Sequence, residues 1–127
     1  MSGIEYLLDT NIVIGLFKRH SETLALIRDR YVTIGRCAYS AITRMELLGY
    51  PGLTADDEAT IQTLLARMVY LPVTLEIEDM AISIRRQRRI KLPDAIIAAT
   101  AKVHRLELLT LDKDCSKRFD RVLPRLG

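Results

Sequence analysis

The stretch Leu92-Pro93-Asp94-Ala95-Ile96-Ile97-Ala98-Ala99-Thr100-Ala101 decides how this chain folds. From Ala95 to Ala101 every residue is apolar or small, a pattern that predicts a helix buried on all sides. Pro93 suits the first turn, because its missing N–H would have no partner there in any case. Asp94 then lies at the positive end of a helix dipole. A carboxylate at that place either caps its own helix or joins other acids in a site.

The composition indicates one ordinary globular domain spanning residues 1–127. With 127 residues and 49% apolar content, the chain can bury a core without disulfides or a structural metal. Cys37 and Cys115 are isolated, which argues against a zinc site and fits a reducing cytoplasm. No run of about 18 apolar residues is present, and the first residues lack the basic segment of a signal peptide, so we expect no membrane association. The net charge of +3 is compatible with a polyanionic partner but also with many unrelated enzymes.

Strand-like and helix-like patterns alternate along the chain. The predicted strands are Ile4 to Leu8, Tyr31 to Cys37, Val69 to Val73 and Leu106 to Leu111. The predicted helices begin near Ile12, Ser21, Ser40, Thr54, Glu76 and Asp94. This alternation predicts parallel strand pairing in a layered α/β sandwich.

Acidic residues recur where these elements meet. Asp9 directly follows the first strand and Asp112 the last one, and the carboxyl ends of parallel strands share one edge of the sheet. A right-handed crossover starts the helix of Asp94 near that edge. Glu46 sits within the third helix, on or beside an apolar face, where a carboxylate needs a partner.

Each acid also has an ordinary interpretation. Asp9 and Asp94 could cap their helices, Asp112 could be a turn residue, and Glu46 could pair with a surface neighbour. Their common position, and the lack of Lys or Arg beside Asp9 and Glu46 in the sequence, favour a bound cation, since clustered carboxylates repel one another. Oxygen ligands without Cys or His select a hard ion, Mg²⁺ or Mn²⁺.

Four blocks of the sequence resemble a known family. They are Leu7-Leu8-Asp9-Thr10-Asn11, Ser40-Ala41-Ile42-Thr43-Arg44-Met45-Glu46-Leu47, the stretch from Leu92 to Ala101, and Leu109-Thr110-Leu111-Asp112-Lys113-Asp114. In this order the chain is similar to PIN-domain proteins, specifically the VapC-type toxins of bacterial toxin–antitoxin pairs, over nearly its whole length. The resemblance implies a three-layer α/β/α sandwich with a short, mainly parallel sheet. It also implies a metal-dependent endoribonuclease that cuts single-stranded or loop RNA, forms homodimers and is inhibited by a cognate antitoxin.

The resemblance assigns roles by position. Asp9, Glu46, Asp94 and Asp112 match the acidic quartet of the family, which implies catalytic and metal-binding roles. The small polar supporting residues of the family are matched by Thr10, Asn11 and Thr110. Cys115 stands where the family often has Phe, so the role of Asp114 stays open.

A basic run precedes the buried helix. It consists of Arg85, Arg86, Arg88, Arg89 and Lys91. These side chains could draw an RNA backbone toward the acids, or they could form a solvated helix end that complements the dipole.

Three other functions are compatible with parts of the sequence. A catalytically silent PIN-like module would bind RNA or a protein partner, although a pure binder has no reason to concentrate acids facing RNA. A phosphoacceptor domain of receiver type also gathers acids at strand ends, but two of the acids here belong to helices. A metal-free nuclease would use a His pair as acid and base, whereas His20 and His104 both lie near predicted helix ends.

Overall fold

A parallel sheet forms the centre of the protein. The structure, a computed structural model, describes residues 3–112, so Asp114 and Cys115 lie outside the described residues. Within that range the strands are β1 (Tyr6–Leu8), β2 (Cys37–Ser40), β3 (Val69–Leu71) and β4 (Glu107–Leu109). They are all parallel and adopt the order β3-β2-β1-β4. The chain therefore builds outward from β1 in one direction and then returns to place β4 on its other side.

Six helices connect and cover these strands within residues 3–112. They are α1 (Thr10–Phe17), α2 (Ser21–Asp29), α3 (Ala41–Leu48), α4 (Ala55–Leu65), α5 (Leu75–Gln87) and α6 (Leu92–His104). The predicted caps of the third and fourth helices are confirmed. Ser40 Oγ accepts from the Thr43 N–H at 3.2 Å, and Thr54 Oγ1 accepts from the Asp57 N–H at 3.0 Å.

Alternate residues of the strands are buried on opposite faces of the sheet. Leu7 packs with Ala38, Ile97 and Ala101, on the side of the sheet covered by α6. Leu8 packs in the other layer with Ile12, Leu47 and Leu65, which belong to α1, α3 and α4. The predicted three-layer α/β/α sandwich is confirmed, with a sheet that is entirely parallel in the described part.

The helix predicted from Asp94 onward is the most buried one. Ala95, Ala98 and Ala99 are fully buried, and their small side chains pack against Ile77 and Ile84 of α5. The helix begins at Leu92, so Asp94 occupies its first turn and the rest of α6 runs into the core. None of the helices in residues 3–112 is long and apolar enough to cross a membrane.

The second predicted strand, Tyr31 to Cys37, is wrong. Residues 34–36 form a turn of 3₁₀-helix, and β2 starts only at Cys37. Val32 and Ile34 do point inward, but they pack from a loop onto the core of α1 and α4 instead of joining a strand ladder. Alternating burial alone does not distinguish these two arrangements.

Candidate active site

Asp9 lies where β1 ends beside β4. Its N–H donates to the Leu109 carbonyl at 2.9 Å, which extends the pairing of the two strands. Its Oδ1 accepts from the Thr10 N–H at 2.8 Å and caps α1, while its Oδ2 accepts from the Thr110 hydroxyl at 2.7 Å. Asp9 therefore does cap a helix, and its second oxygen is also held by the segment that follows β4.

A small polar network fixes that segment. The Asn11 side chain donates to Thr110 Oγ1 at 3.2 Å and accepts from the Leu111 N–H at 3.2 Å. Thr110 Oγ1 also accepts from the Asp112 N–H at 3.0 Å. The structure thus places Asn11 and Thr110 between the start of α1 and the segment that carries Asp112.

Glu46 reaches the same place from α3. The Thr10 hydroxyl donates to Glu46 Oε1 at 2.7 Å, and Thr10 Oγ1 lies 2.9 Å from Thr43 Oγ1. Because the hydroxyl of Thr10 has one proton and gives it to Glu46, Thr43 must donate to Thr10. Glu46 is exposed to solvent, and the partner that its carboxylate finds is the hydroxyl group of Thr10.

Thr43 is a supporting residue that the sequence reasoning missed. It is fully buried and lies one helical turn before Glu46 on α3. Residues three apart on a helix share a face. This spacing is the signal that could have identified it.

Asp94 completes the cluster from the first turn of α6. Its pKa is raised mainly by burial, and further by the charges of Glu46 and Asp112, while Lys91 partly lowers it. The pKa of Asp9 is likewise raised mainly by burial and further by Asp94 and Glu46, against the hydrogen bonds from Thr110 and Thr10. The four predicted acids therefore act electrostatically on one another, and the structure brings them to one edge of the sheet.

The chemistry of this cluster suits a hard cation. Within residues 3–112, none of Asp9, Glu46 and Asp94 forms an ion pair with Lys or Arg. The donors are all oxygen atoms, which Mg²⁺ and Mn²⁺ prefer. No three acidic, histidine or cysteine side chains of the described range are grouped closely enough to hold a metal ion as they stand. The residues fit the ion by donor type and charge, and the carboxylates would have to draw together around it.

The basic run is divided between two places. Arg85 and Arg86 are exposed on the last turn of α5, where Arg85 Nε donates to the Ile90 carbonyl at 3.4 Å. The other three residues, Arg88, Arg89 and Lys91, lie in the connection to α6, where Arg88 is half-buried. Lys91 is the member whose charge acts on Asp94.

The two histidines are not placed as an acid–base pair at this edge. His20 is the exposed residue that precedes α2, and His104 is the exposed last residue of α6. At a rise of about 1.5 Å per residue, His104 lies about 15 Å along the helix from Asp94.

A hydrophobic cavity opens beside Glu46. It has a volume of about 400 Å³, and Glu46 forms part of its wall. Apolar side chains of α1, α3 and α4 form much of the rest, including Ile14, Phe17, Leu47 and Ile61. A chain that lay in this cavity would come within reach of Glu46.

Comparison with known proteins gives a consistent family. The profile of the PIN domain matches residues 6–122. Among solved structures, a chain of a toxin–antitoxin complex from Klebsiella pneumoniae is 34% identical with a TM-score of 0.72, covering 84% of this chain and 85% of that one. FitAcB from Neisseria gonorrhoeae is 28% identical with a TM-score of 0.69, covering 91% of this chain and 93% of that one. None of the curated protein sequences matches the chain significantly.

A more distant structure agrees in fold. VapBC2 from Rickettsia felis, solved with a fragment of its promoter DNA, superposes with a TM-score of 0.73 over 94% of this chain and 93% of that one. At 18% identity this likeness shows the fold alone. The profile match extends from β1 past β4 and includes all four acids. The chain therefore belongs to the PIN-domain family, and its resemblance to the VapC-type toxins is confirmed.

Proposed function

We propose that this protein is a divalent-metal-dependent endoribonuclease and the toxin of a toxin–antitoxin pair. The observation that carries the proposal is the meeting of Asp9, Glu46, Asp94 and Asp112 at one edge of the sheet. The pKa values of Asp9 and Asp94 are raised mainly by burial and further by the charges of the neighbouring acids. A cluster of carboxylates with this electrostatic character favours binding of a cation. Membership of the PIN-domain family and similarity to a chain of a toxin–antitoxin complex support the same function.

In this proposal the four acids have different roles. Asp9 and Asp94 would hold Mg²⁺ or Mn²⁺ directly, and Glu46 and Asp112 would hold a second ion or orient the attacking water. When bound, the ion supplies Lewis acidity and lowers the pKa of water. The water would lose a proton as its oxygen forms a bond to phosphorus. The bond from phosphorus to the 3′ oxygen would break, and that oxygen would take up a proton, which leaves a 5′-phosphate and a 3′-hydroxyl. Thr110 and the Thr10 N–H keep the carboxylate of Asp9 in a fixed orientation throughout.

RNA would approach along the connection between α5 and α6. Arg89 and Lys91 are exposed there, and Lys91 already acts on Asp94. Cations beside an acidic cluster offset its repulsion of phosphate groups. Binding of RNA should therefore weaken as the salt concentration rises, because released counterions contribute to the affinity.

The antitoxin is the second proposed partner. The cavity beside Glu46 supports this part of the proposal, since an apolar segment bound in it would contact one of the four acids. Co-production with the product of a short neighbouring reading frame should relieve growth inhibition by this protein. Growth inhibition that no adjacent gene product relieves would contradict the toxin role. Because the proposed substrate is RNA, we expect a cytoplasmic location.

Cleavage of a labelled single-stranded RNA by the full chain tests the catalytic proposal. We expect cleavage with Mg²⁺ or Mn²⁺, none in EDTA, and a loss of at least about 100-fold for Asp9→Asn and Asp94→Asn. Asp56→Asn is a matched control, because Asp56 also lies in the first turn of a helix, α4, but outside the cluster. RNA that is bound but not cut with either ion would favour the catalytically silent module. Unchanged cleavage in both variants would show that the catalytic assignment is wrong.

A further inference from the structure

Tyr50 is an exposed aromatic residue that belongs to the wall of the cavity beside Glu46. It lies just after α3, four residues beyond Glu46, and its side chain is 69% exposed. The Leu53 N–H donates to the Tyr50 carbonyl at 3.2 Å, and Gly52 has a φ of +82°. Pro51 at the second position and a glycine with positive φ at the third are typical of a type II turn. Because a proline also restricts the backbone of the residue before it, Tyr50 is presented to solvent on a rigid support.

The cavity itself has the size and the walls of a small-molecule site. Its volume of about 400 Å³ lies in the usual range of about 300–1,000 Å³ for such sites. Its apolar side chains include Ile14, Phe17 and Leu47. An exposed aromatic ring at an apolar cavity is suited to hold a flat heterocycle, because the two rings stack and remove apolar surface from water.

The charges around the cavity determine which part of a nucleic acid can enter it. Glu46 and Asp57 belong to the wall and repel phosphate groups. A nucleobase is uncharged, and its amino groups can donate to a carboxylate. Lys18 also belongs to the wall, is exposed, and forms no ion pair within residues 3–112, so its ammonium group is available to a phosphate outside the cavity.

We infer that this cavity is a nucleobase subsite, in which Tyr50 stacks on an unpaired base of the RNA next to the scissile phosphate. The inference rests on RNA as the substrate of the proposed function and assigns the residues that select it. Glu46 belongs both to the cavity wall and to the acidic cluster, so a base in the cavity can stay linked to a phosphate at the acids. Lys18 lies about 12 Å from Thr10 along α1, and it would therefore contact a phosphate further along the RNA.

The subsite gives a physical reason for cleavage of single strands. A base within a duplex is paired at its edge and stacked on both faces, whereas a base in a single strand or loop can turn out and stack on an aromatic side chain. An antitoxin segment bound in the same cavity would exclude the base. Binding of the two proposed partners should therefore be mutually exclusive.

Binding of a labelled single-stranded RNA to the full chain in EDTA tests the subsite without cleavage. We expect Tyr50→Ala and Tyr50→Leu to raise the dissociation constant about 10-fold. Tyr50→Phe should leave it within about twofold of the unaltered value, because the ring rather than the hydroxyl stacks. Tyr31→Ala is the matched control, since Tyr31 is 90% exposed and does not belong to the cavity wall.

The salt dependence of binding separates the two contacts. Lys18→Gln should lower the slope of log affinity against log salt concentration by about 0.7, the value for one phosphate contact on a single strand. Tyr50→Ala should leave this slope unchanged, since stacking releases no counterions.

Removing one base at a time from the RNA identifies the occupant. With the unaltered chain, an abasic residue at one position should weaken binding about as much as Tyr50→Ala does. With the Tyr50→Ala variant, the same abasic RNA should bind no more weakly than the intact RNA, because both changes remove one contact. The abasic RNA alters no protein residue, so this measurement does not depend on the folding of a variant.

The outcomes distinguish this inference from the proposed function. A Tyr50→Ala variant that binds RNA as tightly as the unaltered chain overturns the subsite, as do effects of Tyr50→Ala and of the abasic residue that simply add. In either case the cavity is left to the antitoxin. RNA that is cut by the Tyr50→Ala variant with unchanged KM keeps the nuclease function and rejects the subsite. RNA whose binding depends on Tyr50 but that is never cut keeps the subsite and contradicts the nuclease function.

Discussion

The Thr10 hydroxyl donates to Glu46 Oε1 across 2.7 Å, which joins the first turn of α1 to the last turn of α3. The two residues are 36 positions apart in the chain. Thr43, which donates to Thr10 in turn, is fully buried. The orientation of an exposed carboxylate is therefore set by a chain of hydroxyl groups that begins in the core.

Replacing Thr10 by Val should loosen Glu46 without changing the size of the side chain at position 10. We expect RNA cleavage to fall by about 10-fold, as for other residues that orient a metal ligand. The free energy of unfolding should fall by about 1 kcal/mol, since Thr43 loses its acceptor. Thr10→Ser should restore both quantities, and Thr63→Val, which removes an exposed hydroxyl on α4, serves as the control. Full cleavage by Thr10→Val would show that Glu46 needs no such positioning.

The raised pKa of Asp9 should appear in the pH dependence of stability. Folding holds the proton of Asp9 more tightly than the unfolded chain does, so the free energy of unfolding falls as the pH rises from the unfolded value of 3.8 through the folded pKa. Asp9→Asn removes this titration and keeps a good N-cap residue. In EDTA, the stability of the variant relative to the unaltered chain should be greater at pH 7 than at pH 3.5. A difference that stays constant with pH, or that decreases, would contradict the burial and repulsion described at this site.

Binding of Mg²⁺ should offset the loss of stability that ionised Asp9 causes in the unaltered chain. A ligand that binds only the folded state at 100 times its dissociation constant adds about 2.7 kcal/mol of stability. We expect the melting temperature to rise with Mg²⁺ or Mn²⁺ for the unaltered chain, and to rise much less for Asp9→Asn and Asp94→Asn. Asp56→Asn should respond like the unaltered chain. Equal metal-induced shifts in all four proteins would show that the ion binds elsewhere.

The positions of Asp9 and Asp94 could be predicted because each depends on local structure. One follows an apolar run that forms a strand, and the other begins a helix of small and apolar residues. The meeting of Glu46 with them could not be derived from the residues alone, because it depends on how α3 packs beside α1. The family resemblance supplied that expectation. The prediction of a strand at Tyr31 to Cys37 was wrong for the same reason, because it also depends on tertiary packing. Val32 and Ile34 face inward and pack against the core from a segment that is not a strand.

The contact between α1 and α2 depends on a residue without a side chain. A Cβ atom at Gly15 would lie 1.9 Å from Thr23 Oγ1 and 2.6 Å from its Cβ. Thr23 is fully buried, so its side chain has little room to turn away. Within residues 3–112 its hydroxyl has no hydrogen-bond partner. Gly15→Ala should therefore lower the free energy of unfolding by about 1–3 kcal/mol, even though Ala favours helices more than Gly does.

Chemical or thermal denaturation measures this effect. Gly35→Ala is the matched control, because in the described part of the chain nothing lies within 4 Å of a Cβ built at that position. Adding Thr23→Ala to Gly15→Ala should recover part of the loss, since it removes the two outer atoms of the clash and leaves the Cβ contact. A Gly15→Ala variant as stable as the Gly35→Ala control would mean that the helices separate at little cost.

The thiol of Cys37 should be unreactive toward alkylating reagents in the folded protein. It begins β2, is fully buried, and lies 3.5 Å from the Thr33 carbonyl, to which it donates. Burial raises its pKa to about 11, and the charge of Glu5 adds to the shift. At pH 8 only about one molecule in a thousand would then carry the reactive thiolate, compared with about a quarter for an ordinary thiol.

Iodoacetamide should therefore leave the Cys37 peptide unmodified in native protein and modify it fully in guanidinium chloride, as read by mass spectrometry. Because Cys37 is fully buried in the core layer with Leu8 and Ile12, reagent can reach its sulfur only when that layer opens. The rate of modification should consequently rise steeply with sub-denaturing urea, whereas a rate that is fast and independent of urea would mean that the amino-terminal end of β2 opens without global unfolding.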